Sequence, residues 1–230
     1  MAVKKKERNI LEDSDVVIEK LESAEDFFKT NQKWVYIIIG VILVAVAGIF
    51  TFKYFKESQA QIAQNELFRP INFFESDSVG KALEGDGNTM GFPAIAEEYS
   101  LTKPGNLAEY YAGAAYLKDG KFQEAIDYLK DFSSSDILVQ ARAYSLIGDA
   151  NMELKNFEEA AKFYGKAAEY NPNKFFSPQY LMKQALAYEK QGDNQAALNA
   201  YDQIIEEYFD ASEYNDARKN KARIEALISK

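Results

Sequence analysis

The stretch Glu84–Gly91, reading EGDGNTMG, contains the residue types that hold phosphates or calcium. A phosphate loop needs Lys followed by Ser or Thr after its last Gly, because the ammonium must reach the outer phosphates. Phe92 and Pro93 follow here, so that chemistry is not expected. A calcium loop comes nearer: Asp86, Asn88, Gly91 and Glu97 fall at its first, third, sixth and twelfth positions. Met90, however, takes a liganding place and Pro93 interrupts the loop. A Gly-rich turn between helices is therefore expected. The other chemically suggestive residues are the adjacent carboxylates Glu97 with Glu98 and Glu206 with Glu207. Such pairs are commonly solvated helix charges, and no convergent motif accompanies them.

The chain has no His and no Cys. Hydrolytic triads, zinc-protease motifs, thiolate metal sites and disulfides are excluded. No cofactor, no metal and no enzymatic activity are expected. The net charge is −9, of which residues 1–33 carry −1 and the part after residue 52 carries −8. Phosphate backbones would be repelled, so no nucleic-acid partner is expected. Nothing in the sequence points to a small-molecule substrate.

Residues 34–52 dominate the organisation. No charge lies between Lys33 and Lys53. Those 19 positions reach about 28 Å as a helix, close to a bilayer's hydrocarbon core. Trp34 and Tyr36 at one edge and Tyr54 past the other suit the membrane interface. Ala45 and Ala47 form a small-x-small pattern, but the long acidic and basic segment before the span argues for an uncleaved anchor. Lys4, Lys5, Lys6 and Arg8 favour a cytoplasmic N-terminus, since charges nearer the span are balanced. Residues 14–29 read as an amphipathic helix, lying on the membrane or docking a partner. Residues 55–74 read as a helix leaving the membrane, broken near Pro70.

From Gly105 the chain repeats itself. Three stretches starting at Tyr110, Ser145 and Met182 align, each reading as helix, polar turn and helix. Their closing residues Ala125, Ala160 and Ala197 stand 35 and 37 apart. This resembles the tetratricopeptide repeat, a 34-residue helix-turn-helix unit. The motif's eighth position, where paired helices nearly touch, is Gly113, Gly148 and Ala185. Position eleven is Tyr116 and Tyr188, with Asn151 a departure; the turn Gly is Gly120 and Gly192, with Lys155 a departure. Position twenty-four is Leu129, Tyr164 and Tyr201. These residues are core, because small side chains permit close approach and aromatics fill the gaps.

The expected fold is therefore all-α, with a single N-terminal transmembrane helix followed by a tetratricopeptide-like α-solenoid. Its parts are a cytoplasmic tail (1–33), the span (34–52) and a linking helix with an irregular first helix pair (53–104). Three repeats (105–210) and a capping helix (211–230) complete it. Ala217, Ile224, Leu227 and Ile228 would pack that cap on the third repeat, its basic residues making a solvated outer face.

This order resembles bacterial membrane-anchored repeat proteins related to the ancillary subunit of the Sec translocon. The segments 85–88 and 105–113 are similar to anchored repeat proteins of Bacteroidetes. The resemblance implies a single-pass protein of the bacterial inner membrane, with periplasmic repeats. It implies protein partners: translocon subunits, a periplasmic chaperone or exported clients. Carrying over the repeat's groove positions gives Tyr110, Ala114, Leu117, Ser145, Asp149, Met152, Met182, Leu186 and Glu189 as candidate peptide contacts. Alternatives are binding by another surface, a structural accessory subunit of an envelope complex, or a cytosol-facing membrane adaptor.

Overall fold

The computed structural model describes residues 14–229, and among them there is helix but no strand. The basic start at Lys4 to Arg8 lies outside the described residues. The chain divides into two compact units, Met1–Phe55 and Lys56–Lys230.

In the first unit the described backbone is one helix, the leading part of α1 (Ser14–Glu75). Its one non-helical residue is Asn31, at φ −110° and ψ 17°. The Asn31 side-chain amide donates to the Phe27 carbonyl at 3.0 Å. A side chain inserted into the backbone ladder is a known cause of kinks. The departure falls between the amphipathic stretch and the apolar run. Beyond it, Trp34, Leu43 and Phe50 are all about two-thirds exposed, and nothing in the most apolar window is buried. By length and composition this helix can cross a membrane. Thr51, with Tyr36 one of the two hydroxyls between Trp34 and Phe52, donates to the Ala47 carbonyl at 2.9 Å, so its polar group is satisfied within the helix.

In the second unit α1 runs on to Glu75 without the break expected at Pro70. Pro70 removes one ladder hydrogen bond but is fully buried, and Ile71, Phe73 and Phe74 just after it pack on a core. Tertiary packing holds the helix through its proline. That core joins Ala63 and Leu67 of α1 to α2 (Val79–Glu84), α3 (Phe92–Glu98) and α4 (Lys103–Lys118). Phe92 is wholly buried, stacked 5.2 Å from Tyr111.

Between α2 and α3, Asp86 organises the Gly-rich turn. One carboxylate oxygen accepts from the backbone N–H groups of Asn88 and Thr89 and from the Thr89 hydroxyl. The other lies 3.3 Å from the Arg69 guanidinium. These hydrogen bonds, that of Thr89 foremost, hold the Asp86 carboxyl below its usual range. The carboxylate thus closes a turn with the very lone pairs a cation would need. Gly85 and Gly87 both take positive φ, the reason for Gly there.

Three helix pairs follow: α4 with α5 (Phe122–Asp131), α6 (Ile137–Glu153) with α7 (Phe157–Glu169), and α8 (Ser177–Gln191) with α9 (Asn194–Glu207). Each helix packs against its neighbours in sequence, the pattern of a solenoid. A Cβ on Gly113 would stand 2.4 Å from Leu129 Cγ, and one on Gly148 would stand 2.6 Å from the Tyr164 ring. The eighth and twenty-fourth positions of one repeat therefore fill a single space.

The turns are built alike. The N–H of Lys121, Asn156 and Asp193 donates to the carbonyl five residues back, closing each first helix. The residue before each is left-handed: Gly120 at φ 78°, Gly192 at φ 86° and Lys155 at φ 61°. Lys155 departs from the motif in type but not in conformation. Lys155→Gly should therefore stabilise the chain by about 0.5–1 kcal/mol, since a side chain in that region is strained. An unfolding midpoint that falls instead would show that the lysine side chain stabilises the turn.

α10 (Tyr214–Ile228) closes the stack. Ala217 and Ile224 are buried, but Leu227 and Ile228 are more than half exposed and do not pack as expected. Its basic residues also depart from a purely solvated face. Lys221 pairs with Asp202, and Arg223 with Glu189 at 2.6 Å.

Candidate peptide-binding groove

The first helices of the repeats, α4, α6 and α8, form one wall each of a hollow of about 460 Å³. Tyr110 and Tyr111 line it from α4, Arg142 and Asp149 from α6, and Tyr180 and Lys183 from α8. The loop before α8 closes one side with Asn171, Asn173 and Phe176. Asn173 is committed to that loop: its side-chain carbonyl accepts from the N–H groups of Phe175 and Phe176. A second hollow of about 350 Å³ shares Tyr110, Tyr111, Arg142 and Leu146 and extends to Ala114, Leu117 and Phe74.

The nine residues expected in the groove separate into groups. Tyr110, Ser145 and Asp149 line the larger hollow; Tyr110, Ala114 and Leu117 line the smaller. Met152 packs against Ala160, Ala161, Tyr164 and Ala187, and Met182 against the core of α8, α9 and α10. Leu186 is exposed and lines neither hollow. Glu189 faces α9 and α10, where it is bonded to Tyr201 and Arg223.

The nine expected residues occupy the fifth, ninth and twelfth positions of the repeat motif. The hollow is lined by the second, fifth, sixth and ninth: Arg142, Ser145, Leu146 and Asp149 in α6. In α8 it is lined by Gln179, Tyr180 and Lys183, the second, third and sixth positions. The α6 spacing i, i+3, i+4, i+7 is one continuous helix stripe, a periodicity present in the sequence.

Two side-chain triplets brace the groove helices. Tyr164 of α7 donates to Asp149 of α6 at 2.7 Å, and Lys183 of α8 reaches both Asp149 oxygens at 2.8 and 2.9 Å. One repeat later, Tyr201 of α9 donates to Glu189 of α8 at 2.6 Å, and Arg223 of α10 grips both Glu189 oxygens. In each case a carboxylate on a first helix binds the second helix of its own repeat and the next helix along. The first repeat has Leu129 instead of Tyr at that place and no such triplet.

Burial, and then the adjoining carboxylate, push the phenols of Tyr164 and Tyr201 well above their ordinary range. Burial similarly raises Tyr110, opposed by the neighbouring Arg142. Above about pH 10 the unfolded chain releases phenolic protons that the folded chain still holds. The unfolded state then binds fewer protons, so stability should fall as pH rises in that range. The double variant Tyr164→Phe with Tyr201→Phe should show a shallower alkaline decline in unfolding free energy. An unchanged slope would mean that these phenols do not carry it.

No group of three or more acidic residues among the described residues could hold a metal ion. Models of the tetratricopeptide repeat match residues 141–174 in one form and residues 107–135 and 179–208 in another. No curated protein matches the chain at a significant level. The matched segments coincide with the three helix pairs built above, and repeats of this kind are protein–protein interaction modules.

Proposed function

We propose that these repeats form a non-catalytic peptide-binding module held at a membrane by α1. The observation that carries this reading is the hollow across α4, α6 and α8. It mixes apolar walls with a few polar groups, and its backbone is rigidified by the two triplets. The uncovered apolar surface of residues 34–52 supports a single span. Anchoring raises local concentration, so modest groove contacts suffice for binding at the membrane.

The finer reading rests on the resemblance in architecture. The N-terminus lies in the cytoplasm and the repeats in the periplasm of a bacterial inner membrane, beside the Sec translocon. There the groove assists or tethers exported proteins. Protease treatment of intact spheroplasts tests the topology: a C-terminal tag should be cleaved from outside, and protection until lysis would place the repeats in the cytoplasm. A photo-crosslinking amino acid at Tyr180 tests the groove. Adducts with translocon subunits or chains in transit are expected there and not from Lys162, an exposed residue of α7. Equal labelling from both positions would remove the groove from the mechanism.

A second reading is favoured by Ile18, Leu21, Phe27 and Phe28, all more than half exposed on α1. In that reading the tail and span make the contacts and the chain is a structural accessory subunit of an envelope complex. It predicts stoichiometric co-purification with membrane partners that survives disruption of the groove.

A further inference from the structure

The charged side chains of the larger hollow are Arg142, Asp149 and Lys183. Two of these three are spent on each other. Lys183 is ion-paired with Asp149, which also accepts from Tyr164. Arg142 is different: it is exposed, its one polar partner is the uncharged Tyr110 phenol, and no carboxylate among the described residues pairs with it. The hollow therefore presents one available cation, a guanidinium, within a chain whose net charge is −9.

Three observations say what that cation meets. A guanidinium is a planar fork of N–H donors that matches a carboxylate by two parallel hydrogen bonds. Arg142 lines both hollows, so a ligand over it continues in both directions. A chain terminus would continue in one direction only; an internal side chain fits the geometry. Apolar side chains flank it on either side: Ile137 and Leu138, both about half exposed, line the larger hollow, and Leu117 and Phe74 the smaller, where Lys118 lies over the Phe74 ring and is ion-paired with Asp77.

The surrounding negative charge sets a limit on the ligand. Exposed charges beyond about 8 Å are largely screened at physiological ionic strength, whereas a contact pair in a groove is screened less. One carboxylate over Arg142 gains its contact; the other cations lining the two hollows, Lys183 and Lys118, are already paired with Asp149 and Asp77, so further carboxylates on the ligand would add net repulsion without a matching partner. An acidic run is disfavoured, and a single acid among apolar residues is favoured. We propose that Arg142 makes this groove a receptor for an extended peptide segment carrying one internal Asp or Glu between apolar residues. This deepens the groove reading above and rests on it.

The test uses the full chain in detergent and a bead library of nonapeptides, acetylated and amidated so that neither end is charged. The central position is Glu, Gln, Lys or Leu in equal amounts, and the flanks are drawn from Leu, Phe, Ser and Ala. Beads retained by the wild-type chain should be enriched roughly fivefold in Glu over Gln, the scale of one partly exposed ion pair. Arg142→Gln should erase that enrichment while Gln-centred and Leu-centred beads remain bound, which also shows that the variant is folded. Equal retention of Glu and Gln, or an enrichment that survives Arg142→Gln, overturns the assignment of Arg142 and leaves the groove standing. A soluble competitor with central Gln and a free C-terminal carboxylate should displace Glu-centred beads less well than the amidated Glu-centred peptide; better displacement overturns the internal segment. Beads held by neither chain overturn the groove reading itself, and this inference with it.

Discussion

Tyr201→Ala should lower the unfolding free energy by about 3–5 kcal/mol, the range for truncating a buried aromatic to Ala. Tyr201 is 2% exposed, at the centre of the core that joins α8, α9 and α10. Its ring packs with Leu181, Ala197, Ile204 and Ile224, and collapse around the vacancy is opposed by the Glu189 bond to Arg223. That ion pair would survive the substitution, but with the phenolic donor gone Glu189 would lose one of its three donor contacts. Tyr201→Phe separates the two effects. It keeps the ring and removes the hydroxyl, and should cost about 1.5–3 kcal/mol, the scale of a hydrogen bond to a charged acceptor. Thermal unfolding followed by circular dichroism on the full chain in detergent would read both. In a solenoid the end of the stack is stabilised from one side only, so loss at Tyr201 should first melt α9 and α10. Hydrogen exchange in residues 194–228 of Tyr201→Ala should rise more than in α4. A uniform rise would show instead that the stack unfolds as one unit.

Gly148→Val should cost about 1–3 kcal/mol, and the effect should come from one contact. A Cβ at this place would sit 2.6 Å from two atoms of the Tyr164 ring. The ring cannot simply retreat, because its hydroxyl is tied to Asp149 at 2.7 Å and Asp149 is tied in turn to Lys183. Moving Tyr164 away from α6 therefore breaks the triplet that braces α6 to α8. The added side chain should disturb the groove as well as the core, weakening peptide binding at temperatures where the chain is still folded. Gly80→Ala is the control. Nothing lies within 4 Å of a Cβ built there, within the short helix α2, so Ala should stabilise slightly through helix propensity. Equal destabilisation by the two changes would remove the steric explanation of the eighth position.

Much of this architecture was legible in residue order, for local reasons. An uncharged run from Trp34 to Phe52 carries its meaning in length and polarity, whatever it touches. The spacing of Gly113, Gly148 and Ala185 against Ala125, Ala160 and Ala197 shows where helices must approach closely, because only small residues permit it. The turns repeat even where type does not: Lys155 takes the conformation of Gly120 and Gly192 because the same closing bonds demand it.

Other features depended on neighbours distant in sequence. Pro70 reads as a helix break, but the packing of Ile71, Phe73 and Phe74 just after it on the core of α2 to α4 outweighs one lost hydrogen bond. Arg223 reads as a solvated charge, yet it lies 34 residues from the carboxylate it holds, a distance no local pattern reports. Glu189 reads as a groove residue by position, and the same contact turns it toward α10. Which stripe of each first helix faces the hollow is set by the rotation of that helix in the stack. The sequence by itself determined the helices, the repeat, the apolar run and the absence of His and Cys chemistry, because these follow from composition and short-range periodicity. Only the tertiary structure decided which charges neutralise one another and which one, Arg142, is left facing the groove, because pairing depends on side-chain directions fixed by packing between repeats.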